Sequence, residues 1–250
     1  MRAWDASGSG AEVERGAGHL TISDLRVRLF DPQDGTTVQL ILESPRAEFF
    51  RDGNQACGEN FIHLVGNLFT VIGGRWTFFG ADPSVILERD VQVFFETNLA
   101  RALASGEEGG FTVIGADSLQ VIRSADGFSL EFLQNVVTQS DELLLTCDRM
   151  VVETVWERPL AILEEKSTGE AIRRIHAQGH VHFEEARRHM EADGAELFPR
   201  EGLAVLSGRV CVTDGERVVR GRHIVLRRDA LHVLTDGDGV VHRDISLDVR

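Results

Sequence analysis

Apolar residues fall at alternate positions along most of this chain, in runs short enough to be single strands. Two phrases return within that alternation. The first is an apolar residue, then Gly, Asn or Arg, then apolar again, clearest at Ala177-x-Gly179-x-Val181-x-Phe183. Its other copies are Leu64-x-Gly66-x-Leu68, Leu87-x-Arg89-x-Val91-x-Val93, Leu133-x-Asn135-x-Val137 and Leu206-x-Gly208-x-Val210-x-Val212. The second is Ala192-Asp193-x-Ala195-x-Leu197, repeated at Ala81-Asp82, Ala116-Asp117-x-Leu119-x-Val121 and Cys147-Asp148-x-Met150-x-Val152. Degenerate forms stand at Ser44-Pro45-x-Ala47-x-Phe49 and Gly221-Arg222-x-Ile224-x-Leu226. A period of two gives each strand one apolar face, and recurrence implies one unit stacked many times around a long apolar interior.

Turn residues separate the strands: Asp31-Pro32-Gln33-Asp34-Gly35, Arg51-Asp52-Gly53-Asn54, Gly73-Gly74, Thr213-Asp214-Gly215 and others. Between Asp141 and Glu165 the chain is leucine-rich and poorly punctuated. Strands are preferred there because residues 146–152 fit the repeat and Pro159 would interrupt a helix. The prediction is a nearly all-β chain. Residues 1–18 read as a linker or disordered N-terminus, 19–104 as one β unit, 105–110 as a Gly/Glu-rich connection, 111–235 as a second unit, and 236–250 as a tail or edge strand. The repeat running through both blocks fits either one continuous stack or two similar units end to end.

By strand parity, the inward set comprises Val181, Phe183, Ala195, Leu197, Val210, Val212, Ile224, Leu226, Leu231 and Val233. The first repeats add Val91, Val93, Leu119, Val121 and Phe132. On their own such positions are the ordinary filling of a closed core.

The order and spacing of Ile175-His176-Ala177-Gln178-Gly179-His180-Val181, Ala192-Asp193-Gly194-Ala195-Glu196-Leu197, Leu206-Ser207-Gly208-Arg209-Val210 and Val219-Arg220-Gly221-Arg222-His223-Ile224-Val225-Leu226 resembles the OstA-like family. Its members are the periplasmic lipopolysaccharide-transport proteins LptA and LptC and the N-terminal domain of LptD. The close match covers about 172–234, and 19–104 resembles an LptC-like or diverged LptA-like portion. The resemblance implies a β-jellyroll open along one side, two facing antiparallel sheets whose interior holds the acyl chains of lipopolysaccharide or a related lipid. The inward set above would then line the groove. It also implies a periplasmic location and partners among other OstA-like domains, or copies of the same chain end to end, docked through exposed edge strands. Leu20 to Leu29 and Leu231 to Thr235 are the expected edges. A structural β-repeat scaffold with a closed core and no lipid is the alternative.

Charge and composition narrow the remaining chemistry. A net charge of −14 works against nucleic acid and anionic membrane surfaces. Cys57, Cys147 and Cys211 lack CxxC spacing and allow at most one disulfide, with Cys147 in the place of the repeat's Ala. His176, His180 and His182 share one parity, but no Cys, Asp or Glu at matching spacing completes a ligand set, so no metal is expected. The acidic pairs Glu107-Glu108, Glu164-Glu165 and Glu184-Glu185 point to opposite faces of a strand, and no nucleophile, phosphate-loop or dinucleotide motif appears. No catalytic residue and no cofactor is predicted.

Overall fold

The computed structural model describes residues 4–13, 19–31, 35–50, 54–97, 99, 103, 110–124, 126–141, 143–155, 172–185, 188–227 and 230–234. Among the described residues the predicted alternation becomes 17 strands. They are β1 Trp4–Ser7, β2 Gly10–Val13, β3 His19–Phe30, β4 Val38–Phe50, β5 Gln55–Gly58, β6 Ile62–Gly66, β7 Phe69–Phe79 and β8 Ser84–Phe95. Then follow β9 Thr112–Ala116, β10 Ser118–Arg123, β11 Phe128–Ser140, β12 Leu143–Thr154, β13 Ile172–Glu185, β14 Arg188–Phe198, β15 Leu203–Asp214, β16 Arg217–Arg227 and β17 Ala230–Leu234. The expected tail, 236–250, and most of the 105–110 connection lie outside the described residues.

Every pairing is antiparallel and joins strands close in sequence, so the chain advances as a meander. The short strands show how it is folded over. β1 and β2 pair with opposite halves of β3, β5 and β6 with opposite halves of β4, and β9 and β10 with opposite halves of β8. Each long strand thus gives one half to each of two sheets. Contacts across the interior show that the halves face one another. Trp4 on β1 meets Phe78 on β7 edge to face at 5.4 Å, and Phe69 on β7 meets Phe128 on β11 at 5.5 Å. The Thr138 hydroxyl on β11 donates to Met150 Sδ on β12 at 3.6 Å. One continuous apolar cluster, from Leu25 to Ile224, fills the space between.

The repeated phrases mark the bend. Register shifts lie between Leu133 and Val136 on β11, Thr146 and Arg149 on β12, Gln178 and Val181 on β13, Glu191 and Gly194 on β14, and Ser207 and Val210 on β15. Strands with the Gly phrase carry left-handed residues there: Gln134 and Asn135, Gly179 (φ 74°) and His180, and Gly208 (φ 91°). Two residues bulge out, and the strand resumes with its parity kept. Strands with the Asp phrase contribute a single residue, so their parity flips. On β14, Met190 and Ala192 point inward before Asp193, and Ala195 and Leu197 after it. On β12, Leu145 and Cys147 change places with Met150 and Val152 in the same way. A strict period of two therefore holds within each half-strand only.

Three repeat copies read differently in the structure. Leu133 and Val137 are exposed, and the inward residues of that strand are Phe132 and Val136, one position earlier. Gly66 ends β6, and Ala81-Asp82 forms part of the turn from β7 to β8, so neither belongs to the bend. The expected N-terminal linker also differs. Four-residue strands alternate too briefly to be read beside Ser7-Gly8-Ser9-Gly10, yet β1 and β2 cover β3. Trp4 packs into the interior and its Nε1 donates to Gly80 O at 2.8 Å, while Arg28 forms a two-pronged pair with Asp5 at 2.6 and 2.8 Å. Leu20 to Leu29 is consequently an inner strand and not an edge. Between the two sequence blocks the ladder does not break, because β8 is hydrogen-bonded to β9 and β10.

Candidate apolar groove and its outer face

Val91, Val93, Leu119, Val121, Phe132, Val181, Phe183, Ala195, Leu197, Val210, Val212 and Ile224 are all buried in the shared interior. Alternation puts them there, and the bend brings the two halves of each strand to face each other. Leu226 is half-buried against the same cluster. Leu231 and Val233 pair with Leu226 and Ile224 through the backbone, and their side chains lie outside the described residues.

The interior is not uniform along its length. From β1 to β12 it is filled by large side chains at 0–2% exposure, among them Trp76, Phe78, Phe95 and Phe132. Trp76 is packed tightly into this core: Gly58 lies so close that a Cβ there would sit 2.8 Å from the indole Nε1. Cover thins toward the other end. On β16 only Ile224 is fully buried, while the inward Val219 and Leu226 are half-buried.

The outer face is polar and its charges pair locally. His176 Nδ1 lies 3.2 Å from Glu196, Arg174 donates to Glu153 at 2.7 Å, and Arg149 to Glu131 at 2.7 Å. Along the bend, each Asp of the second phrase holds the neighbouring strand's bulge. Asn135 donates to Asp117 at 2.8 Å, His180 Nδ1 lies 2.8 Å from Asp148, and the backbone N–H of Arg209 donates to Asp193 at 3.0 Å. The side chain of Arg209 also donates to Asp193, and this bond holds the Asp193 carboxyl below the usual carboxylate range. A cavity of about 710 Å³ opens at this bend, with Val181, Ala192 and Val210 at its base and Arg209, Cys211 and Arg220 around it.

All three cysteines are free thiols. Cys147 sits in the small-residue slot of the bend, and burial pushes its thiol up to about 12. A thiol held protonated this way is no nucleophile. Cys147 is expected to resist alkylation by iodoacetamide at neutral pH until the protein unfolds; labelling of folded protein at the rate of a free peptide thiol would contradict the packing.

The fold and interior together define a class: a bent antiparallel meander whose strands each serve two facing sheets around one apolar space. Residues 112–230 match the family model described as LptA/(LptD N-terminal domain) LPS transport protein. No curated protein matches the chain. Residues 112–230 are thus similar to the OstA-like family of lipopolysaccharide transport, and the resemblance read from the four C-terminal phrases falls inside that segment.

Proposed function

We propose that this protein is a non-catalytic lipid carrier of the periplasm that holds acyl chains of lipopolysaccharide, or of a related lipid, between its two sheets. One observation carries the reading: inside the family-matched segment, the inward apolar row continues to β16 while its cover falls away. Each methylene moved from water into such a slot contributes roughly 0.8 kcal/mol, so a chain of ordinary length is held without any polar contact. The half-buried Val219 and Leu226 would receive the chain first, with the buried Val210, Val212 and Ile224 directly beneath them, and Leu231 and Val233 would extend the row. Val181, Phe183, Ala195 and Leu197 lie deeper. Val91, Val93, Leu119, Val121 and Phe132 are at most 2% exposed, so a lipid reaches them only if the sheets part.

On this reading residues 111–235 form the lipid-handling unit and 19–104 an LptC-like or diverged unit that closes one end. Docking with other OstA-like domains, or with a second copy end to end, would use the terminal strands: β1 and β2 at one end, and at the other β17 with the half of β16 that β17 leaves uncovered among the described residues. No helix among the described residues is long and apolar enough to cross a membrane. The contacts Trp4–Phe78 and Phe69–Phe128, which tie the two sheets together, favour a closed scaffold for the first half of the chain.

A photoreactive residue placed at Val219 or Leu226 is expected to crosslink to lipopolysaccharide, while one at outward Gln178 is not. Labelling at Gln178 equal to that at Leu226 would refute the groove, as would a folded protein unlabelled at both inward positions.

A further inference from the structure

The outer face of β13 and β14 carries a second set of groups that has no part in holding lipid. Glu184 and His189 lie directly opposite each other across these strands, and His182 stands two residues before Glu184 on the same face. Glu184 Oε1 is 3.6 Å from His182 Nε2 and 3.6 Å from His189 Nδ1. One ligand atom from each of the three residues falls within 4.8 Å of the other two.

Those distances are too long for hydrogen bonds, so the three groups do not satisfy one another. They suit a cation between them. Nitrogen and oxygen ligands at about 2.0–2.2 Å around a tetrahedral ion stand roughly 3.3–3.6 Å apart. The chemistry agrees: two imidazoles and one carboxylate form a borderline donor set that favours zinc-type ions over calcium or magnesium. Leu144 and Thr213, the cross-strand neighbours of Glu184 and His189, carry no charge, Glu191 opposite His182 adds a carboxylate to the same face, and a depression of about 480 Å³ adjoins Glu184 and His189. Reading the sequence found His182 and missed its partners. Glu184 has the right parity but was paired with Glu185 as an acidic doublet, and His189 comes close only through the register of β13 with β14.

We propose that His182, Glu184 and His189 bind one divalent transition-metal ion of the zinc type, which clamps β13 to β14 and keeps a fourth position for water. The site faces away from the apolar interior and does not depend on lipid binding.

The test is calorimetric titration of the chelator-treated full chain with zinc ion. Wild-type protein is expected to bind one ion per chain at this site and to melt at a higher temperature with zinc than without. His182→Ala and His189→Ala are each expected to lower the affinity at least tenfold and to remove the rise in melting temperature. Glu184→Gln should weaken binding as well, while His63→Ala and His176→Ala should match wild type. Melting curves in chelator identify any variant that fails to fold. X-ray absorption should show a first shell of nitrogen and oxygen with two imidazoles. Unchanged binding in a folded His182→Ala/His189→Ala double variant would overturn the proposal, as would a sulfur ligand in the shell or an equal loss in His176→Ala.

Discussion

Truncating Phe132 to alanine is expected to lower the unfolding free energy by about 3–5 kcal/mol, because the site loses a fully buried ring and cannot collapse around the gap. Phe132 is 0% exposed on β11, with Leu119 opposite on β10 and Met150 opposite on β12. Strands on both sides and a facing sheet hold the cavity walls apart. Urea unfolding followed by far-ultraviolet circular dichroism measures the loss, and Val218→Ala on the exposed part of β16 should stay within about 0.5 kcal/mol of wild type. Leu226→Ala should fall between the two, since that side chain is only half-buried. The comparison also bears on function. In a carrier with one open end, Leu226→Ala should weaken lipid capture more than stability, and Phe132→Ala should do the reverse in the fraction that folds. A loss below about 1 kcal/mol in Phe132→Ala would mean that the first half is not a packed core.

The strands and their inward faces could be read from alternation alone, because a half-buried strand must put one kind of side chain on each side. The bend could not. Alternation reports which face a residue takes, and a bulge leaves that report intact on either side while moving the strand from one sheet to the other. Gly179 and Gly208 hinted at left-handed backbone, but Gln134, Asn135 and His180 adopt the same conformation without glycine's signature. Leu133 and Val137 show the consequence. They sit at the spacing of an inward pair and are exposed, because Asn135 is the second residue of its bulge, where Gly179 and Gly208 are the first, so the inward pair is Phe132 and Val136. The candidate groove was legible as a list of inward positions, since burial follows parity. Which of them are open depends on how many strands lie on top of each one, and that is set by the ends of the meander. The cluster of His182, Glu184 and His189 was legible only in part: His182 and Glu184 share a face two residues apart, but His189 reaches them through cross-strand register, which no spacing along one strand contains.

Alanine at Gly208 is expected to destabilise the protein by at least about 2–3 kcal/mol, in contrast to about 1 kcal/mol for alanine at Gly215. Both glycines have left-handed backbone, at φ 91° and φ 60°. They differ in what a new Cβ would meet. At Gly215, in the turn between β15 and β16, nothing lies within 4 Å, so only the backbone preference is lost. At Gly208 the Cβ would enter the space held by the Asp193 side chain. Asp193 cannot withdraw freely, because its carboxylate accepts the Arg209 backbone N–H at 3.0 Å and two guanidinium N–H groups at 3.1 and 3.2 Å. The same argument applies one repeat earlier, where Asp148 occupies the space beside Gly179. Removing the Asp193 side chain, Cβ included, separates the two effects: in an Asp193→Gly background, Gly208→Ala should lose only what Gly215→Ala loses. Denaturant unfolding of the four-member cycle measures the coupling. If Gly208→Ala and Gly215→Ala proved equally harmful in the wild-type background, close packing of Asp against Gly would not be the reason that the two phrases recur on neighbouring strands. If they differ as expected, each Asp requires a glycine or another left-handed residue on the next strand, and the bend is specified pair by pair along the meander.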